Sequence, residues 1–419
     1  RGLQRLRPCR RGSSDERAAE RAALDAAYAE AMAAVHAEFP DDNDIATLYA
    51  AALMNTSPWN YWTPEGRPRS STDLIAAVLE GVIARDPHHE GALHYFIHLV
   101  EPTDPWRGER AADLLRGLAP NAGHLEHMPS HIYMQVGRYT ESYDANVRAA
   151  EADEEYFTQC LAQGIYPLTY YPHNLHFLVW AAAMEGRSAE ALAAARKVAA
   201  HVPDDRHGDT WALFETFSSM PLSAMVRFGM WDRILDEPRP RPDEPFLTGM
   251  WHYARGMALL RTRGPRRAKA ELTELRRVER DRRSTEVVIG FSDAGTLLTI
   301  ASELLAAEIE AERGRYERAV GHAERALRLE DGLLYNEPPA WFAPVRHTLG
   351  AILLEAGLPR EAEVVFYQDL ERNPENGYAL YGLVEALTEQ DRHDEAVVVR
   401  ERFERAWKMA DVKIFGSRS

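Results

Sequence analysis

The chain has 419 residues, 45% of them hydrophobic and 27% charged, with a formal net charge of −16. That is a soluble globular composition, long enough for several cores or one extended repeat array. The acidic balance argues against a nucleic-acid partner, no apolar run approaches the roughly 18 residues of a membrane span, and Cys9 and Cys160 alone make neither a disulfide framework nor a Cys-rich zinc motif.

In chain order, the opening RGLQRLRPCRRGSS is basic and lacks the apolar core of a signal peptide. Residues 1–14 are therefore expected to be a disordered tail or the edge of a fragment, and the compartment, cytoplasmic or exported, stays open. Asp15 to Phe39 predicts an Ala- and Glu-rich helix stopped by Pro40, and Ile45 to Met54 a second one. SPWNYWTPEGRPRS, residues 57–70, reads as a loop long for a repeat connection, and long loops often carry function.

Strand signals are almost absent, and helical runs of about a dozen residues recur between Gly and Pro. The clearest unit starts at Ala343, with Leu349-Gly350, Gly357, Ala362, Phe366 and Pro374 in tetratricopeptide spacing. Further units start at Gly377 (Ala396), Pro172 (Gly186, Ala191, Pro203), Gly123 (Tyr133, Gly137, Ala149) and Ile300 (Gly314, Ala319, Ala326). Another starts at Glu90 and ends at Pro120, and weaker units surround Gly229 and Gly264. Residues 154–171 read as an insertion that delays the unit at Pro172. DEPRPRPDEP, residues 236–245, reads as a hinge between N-terminal repeats at 15–235 and C-terminal repeats at 246–415. The fold expected is all-α, a right-handed α-solenoid of tetratricopeptide-like helix pairs.

On the first helix of each such pair, positions 2, 5, 9 and 12 share one face, which lines the groove. From Glu90, His94, His98 and Glu101 take positions 5, 9 and 12. From Gly123, His124, His127 and His131 take 2, 5 and 9, and from Pro172, His173 and His176 take 2 and 5. The registers come from Gly, Ala and Pro, so the histidines were not fitted to the groove. A single histidine on an inner helix face is most often a hydrogen-bonded core or groove residue. Seven on three consecutive first helices are harder to read that way. Histidines at i and i+4 stand one above the other and can chelate one ion. The expected metal ligands are His94, His98, His127, His131 and His176, with Glu101 and His173 as alternates. Imidazole with a carboxylate suits Zn, Fe, Mn or Cu. Tyr95, Tyr171, Asn146 and Asn174 are candidates to bond the second ring nitrogens, whereas Tyr133 fills the large-residue slot of its repeat and packs. His36, His88, His89, His201, His207, His322 and His393 fall at helix ends or polar faces. No Gly-rich phosphate loop, GxSxG elbow or HExxH motif is present.

HYFIH at 94–98 and HMPSHIY at 127–133, followed by Gly137-Arg138, resemble a family of bacterial tetratricopeptide-repeat proteins. YPHNLHF at 171–177 is similar to one branch of it. The resemblance covers about residues 15–200 and implies that the pairs His94/His98 and His127/His131 act together. It implies no reaction. Besides pH sensing, which clustered imidazoles titrating near neutrality would suit, two functions are therefore expected to compete. One is a mono- or dinuclear metal site in the groove, possible as an oxidoreductase or hydrolase. The other is a non-catalytic scaffold holding a peptide or small molecule there, although such grooves usually offer Lys, Arg and Asn at positions 5 and 9.

Overall fold

The computed structural model describes residues 14–63, 65–160, 165–203, 211–281, 288–289 and 292–418. The basic tail before Ser14, Cys9, His207, Arg282 and Arg283 lie outside them. The chain forms two compact units, Arg1–Leu118 and Ala119–Ser419.

The first unit holds α1 (Ser14–Glu38), α2 (Asn43–Asn55), α3 (Thr72–Arg85), α4 (Glu90–Val100) and α5 (Pro105–Leu115) among its described residues. Asp42 caps α2 by accepting from the Ile45 amide at 3.0 Å. His89 caps α4 by accepting from the Ala92 amide at 3.2 Å, so this histidine has a structural task. Helix α4 buries Ala92, Leu93, Phe96, Ile97, Leu99 and Val100. His94 and His98 stand on its less buried face. The loop at 57–70 is folded onto α4: Tyr61 is buried, and Trp62 Nε1 donates to the Leu99 carbonyl at 2.7 Å.

The second unit contains α6 (Gly123–His127), α7 (Pro129–Gln135), α8 (Tyr139–Cys160), α9 (Ile165–Met184), α10 (Ser188–Ala200), α11 (Trp211–Arg227) and α12 (Trp231–Asp236). Helices α13 (Pro245–Arg263), α14 (Pro265–Glu279), α15 (Ala294–Ala311), α16 (Tyr316–Asp331), α17 (Val345–Glu355), α18 (Pro359–Arg372), α19 (Gly377–Glu389) and α20 (His393–Ala406) complete it. Strands β1 (Val288–Ile289) and β2 (Ser292–Asp293) form a two-residue antiparallel ladder ahead of α15. The helices pack as successive antiparallel pairs, so the chain is an all-α, tetratricopeptide-like helical repeat.

The unit from Ala343 shows why the spacing works. Gly357 turns α17 into α18 with φ +73°, a conformation that only Gly adopts without strain. The Phe366 ring lies where a side chain on Gly350 or Gly382 would have to stand, so three consecutive helices close on one ring. The left-handed turn recurs at Gly137, Gly186, Gly229, Gly264 and Gly314.

The insertion read at 154–171 is helical over its described part, extending α8 and α9, where Tyr166 donates to Asp153 Oδ1 at 2.8 Å and Tyr171 to Glu154 Oε1 at 2.6 Å. The boundary between the compact units does not fall at 236–245, where the hinge was expected. One buried core runs from Ala150 to Val345, and the connector is pinned beside it: Trp251 Nε1 donates to the Glu237 carbonyl at 3.2 Å, and Glu244 is buried.

The second unit also joins its first pairs to its last. The Trp407 ring occupies the space beside both Gly186 and Gly377, where a Cβ on either would overlap it. Asp411 caps α10, accepting from the Ser188 amide at 2.7 Å and the Ala189 amide at 2.9 Å. Gly137 abuts the Pro374 carbonyl. Replacing Trp407 by Ala is expected to cost about 2–4 kcal/mol, the range for removing a large, partly buried aromatic. Hydrogen exchange of the Ser188 and Ala189 amides should accelerate with it. Unchanged exchange there, at a lowered urea midpoint, would show that the segment after α20 does not hold α10.

Candidate metal centre

His127 ends α6 and His131 lies on α7. Pro129 removes one helical donor between them, but Met128 keeps helical angles (φ −52°, ψ −38°), so the i, i+4 relation survives the break. The two rings meet with centroids 4.6 Å apart and Nε2 to Nε2 at 2.7 Å. Both side chains are fully buried.

The other ring nitrogens are occupied. His127 Nδ1 lies 2.6 Å from Asn146 Oδ1. The Asn146 amide is oriented by its own Nδ2, which donates to the Ser142 carbonyl at 2.7 Å. The oxygen therefore faces the imidazole, and His127 Nδ1 carries the hydrogen. His131 Nδ1 lies 2.5 Å from Glu337 Oε2, in the loop between α16 and α17. Carboxylates accept, so this Nδ1 is protonated too. The two Nε2 atoms are thus the ring positions left facing each other.

His173, on α9, is the third member. Its ring lies 4.9 Å from that of His127 and 5.7 Å from that of His131. Ligand nitrogens of the three histidines lie within 4.8 Å of one another. Phe177, one turn along α9, walls all three rings at 4.5–5.0 Å. Burial pushes His127 well below the usual imidazole range; the neighbouring His131, His173 and His124 add to this, and the Asn146 bond opposes it. The ring is thus held neutral, the form that ligates metals.

The remaining candidates are placed as follows. In the first unit, His94 and His98 stand 4.9 Å apart on α4, and His94 stacks on Tyr95 at 4.8 Å. His98 Nδ1 meets Glu101 Oε1 at 2.8 Å. Glu101 is buried, and the Trp59 ring stands edge-on to His98 at 5.1 Å. In the second unit, His124 lies 6.2 Å from His127 and 5.2 Å from Tyr170. His176 stands apart from the three-histidine group and lines a neighbouring cavity. Asn174 donates to Asp153 Oδ2 at 2.9 Å rather than to an imidazole. Tyr133 is fully buried, with Arg138 over its ring at 4.3 Å.

Sequence analysis missed two features. Glu337 is 206 positions from His131, and no local pattern joins them. His347 is also buried: its Nε2 meets Asp369 Oδ2 at 2.8 Å, and its Nδ1 accepts from Arg227 Nη1 at 3.0 Å. Here a signal existed, because counting from Ala343 puts His347 at groove position 5.

No protein-family model matches the chain, and no curated relative matches it. Among solved structures, it is similar to the human IFIT1 dimer with m7Gppp-AAAA, at 13% identity and TM-score 0.35, covering 93% of this chain and 78% of that one. It is also similar to yeast Tom70, at 10% identity and TM-score 0.34, covering 96% and 93%. Likenesses this loose carry no site residue across, and the fold rests on the chain's own helix pairs. No described helix is long and apolar enough to cross a membrane.

Asp153 supports this region from beneath, bonded to both Tyr166 and Asn174 and filling the space beside Gly123. Burial raises its carboxyl from 3.8 to about 6, against the bonds from Tyr166 and Asn174. A folded value above the unfolded one means that the contribution to stability is present below about pH 4 and is lost as pH rises through 6. Between pH 4 and 7.5 the wild type should therefore lose stability relative to Asp153→Asn, by on the order of 1–3 kcal/mol. Parallel pH profiles of the two unfolding free energies would contradict this.

Proposed function

We propose that the second unit binds a transition metal ion through His127 Nε2, His131 Nε2 and His173. The observation that carries this reading is the pair of Nε2 atoms at 2.7 Å, with both Nδ1 atoms already facing acceptors. Two lone pairs at that separation repel unless a proton or a metal ion joins them, and a metal bonded to both at about 2.0–2.1 Å would spread them to about 3.3 Å. A carboxylate and an amide that hold the far ring nitrogens are the usual supports of ligating histidines. The donor set fits such an ion: three imidazoles, with His127 held neutral by burial, beside an apolar wall. Imidazole suits Zn, Fe, Mn and Cu alike. In this reading Glu337 orients His131 and Asn146 orients His127.

Three protein ligands leave one position open for water or substrate, as catalytic zinc sites do. An ion held there would supply Lewis acidity or an activated water. The residues around it bind no identified substrate, so the reading stops at a metal-binding helical repeat with an open position. In the first unit, His98 and Glu101 repeat the arrangement of imidazole Nδ1 against a buried carboxylate. His94 stands beside His98 and offers a further imidazole there.

The test is elemental analysis of untagged protein, followed by titration of the metal-free form with zinc, manganese, iron(II) and copper. Wild type should bind at least one ion and melt higher as metal is added, because an ion that binds only the native state stabilises it by mass action. His173→Ala, at a half-buried position, should weaken binding at the second-unit site by about tenfold or more. Glu337→Gln should weaken it by about 10–100-fold, the range for losing such an outer partner. Both variants, metal-free, should melt near metal-free wild type. Unchanged stoichiometry and affinity in His173→Ala and in His131→Ala would place the metal elsewhere and overturn the reading.

A further inference from the structure

Next to the histidine group, α9 and α11 and the segment from Asn336 to Phe342 enclose a cavity of about 50 Å³. On that measure one water takes about 10–15 Å³, so the space suits a single small ring compound. Its wall is mostly apolar, with Trp180, Met220, Phe246, Met250, Trp341 and Phe342 on it. Among the described residues no carboxylate lines it.

Its charged wall residue is Arg227, buried at 5% exposure. One nitrogen, Nη1, donates to His347 Nδ1 at 3.0 Å, and the guanidinium lies 3.4 Å over the Tyr378 ring. The other nitrogen, Nη2, has no acceptor among the described residues. No described carboxylate pairs with this cation, and Asp369 reaches it only through His347. A buried guanidinium without a counter-charge is costly, and burial pulls its proton affinity down. Trp341 Nε1, also buried, is a second donor without an acceptor. Two other polar wall groups are committed. Ser219 donates to the Thr216 carbonyl, and Asn336 to that of Pro338. Burial lowers His176 to about 3, so it adds no positive charge.

Arg227 and Trp341 also border a smaller cavity. That one already holds an anion, the Glu308 carboxylate, paired with Arg261 at 2.7 Å and Arg418 at 3.1 Å. The larger cavity has the cation and the indole donor but, among the described residues, no anion.

We propose that this cavity is a binding site for a small molecule bearing one carboxylate on an aromatic or branched apolar body. Its carboxylate would accept from Arg227 Nη2 and Trp341 Nε1, and its body would fill the wall of Trp180, Met220, Phe246 and Met250. A charge-assisted pair in a dry site favours the anion strongly over a neutral analogue of the same shape. The site does not depend on bound metal, so its failure and that of the metal reading are separable.

The experiment is calorimetric titration of the full chain, in buffer with a chelator, with benzoate and with benzyl alcohol. Benzoate should bind one per chain, at least about tenfold tighter than the alcohol. Arg227→Met should remove that preference and leave the alcohol within about twofold. Trp341→Phe, which keeps the aromatic bulk, should weaken benzoate about three- to tenfold. Ala183→Leu, which fills the cavity, should abolish binding of both probes, and it decides the matter if Arg227→Met does not fold. Equal binding of acid and alcohol to wild type would overturn the proposal. So would no binding of benzoate at millimolar concentration, or benzoate binding unchanged in Trp341→Phe and Ala183→Leu.

Discussion

The constraint on which the second unit depends is the Trp407 ring between Gly186 and Gly377. Each helix pair buries its apolar face against its neighbours, and that alone would give an open array. Here the segment after α20 returns to α10, and Asp411 supplies the amide acceptors that the start of α10 lacks. Burial alone would raise the Asp411 carboxyl, yet the amide bonds outweigh it and hold it below the usual carboxylate range. Contacts more than 200 residues apart in sequence thereby become local ones. A loop late in the unit is fixed against a helix early in it, as a chain of independent repeats would not arrange.

The histidine site follows from that closure. His127 and His131 are placed by local helix geometry, and Asn146 comes from the partner helix of the same pair. Glu337 comes from the loop before α17 and reaches His131 because the loop is carried there. The same loop contributes Trp341 and Phe342 to the cavity beside Arg227. One short segment thus contributes both to the imidazole pair and to the apolar chamber. Neither site is built by one repeat, and each needs side chains from pairs far apart in the chain.

The helix pairs were legible because their cause is local. Gly at the turn, a small residue at the crossing and Pro after the second helix leave marks at fixed spacing. The face carrying His94, His98, His127 and His131 was legible for the same reason, since 3.6 residues per turn put i and i+4 together. What was not legible depends on distance. Nothing near Glu337 marks it as the partner of His131. Pro172 read as a helix start, yet it lies inside α9 because Tyr166 and Tyr171 anchor an extra stretch of helix ahead of it. The Pro-rich run at 236–245 looked like a hinge, because composition does not show the Trp251 indole and the buried core that pin it. His176 was grouped with the other histidines by position, but its ring lines the cavity instead. The buried Asp369–His347–Arg227 relay escaped because Arg227, on α11, joins it from a helix pair far from the one that carries His347 and Asp369.

The central claim is that His127 and His131 hold their protons on Nδ1 and direct Nε2 toward a shared cation. It is tested most directly by nitrogen NMR of the protein labelled at histidine, metal-free and then with one equivalent of zinc. The account predicts Nδ1–H tautomers for both residues in the metal-free form. It predicts that zinc shifts the Nε2 resonances of His127, His131 and one nitrogen of His173 while the two Nδ1 protons remain. Nε2–H tautomers for either His127 or His131, or zinc-induced shifts confined to other histidines, would contradict it.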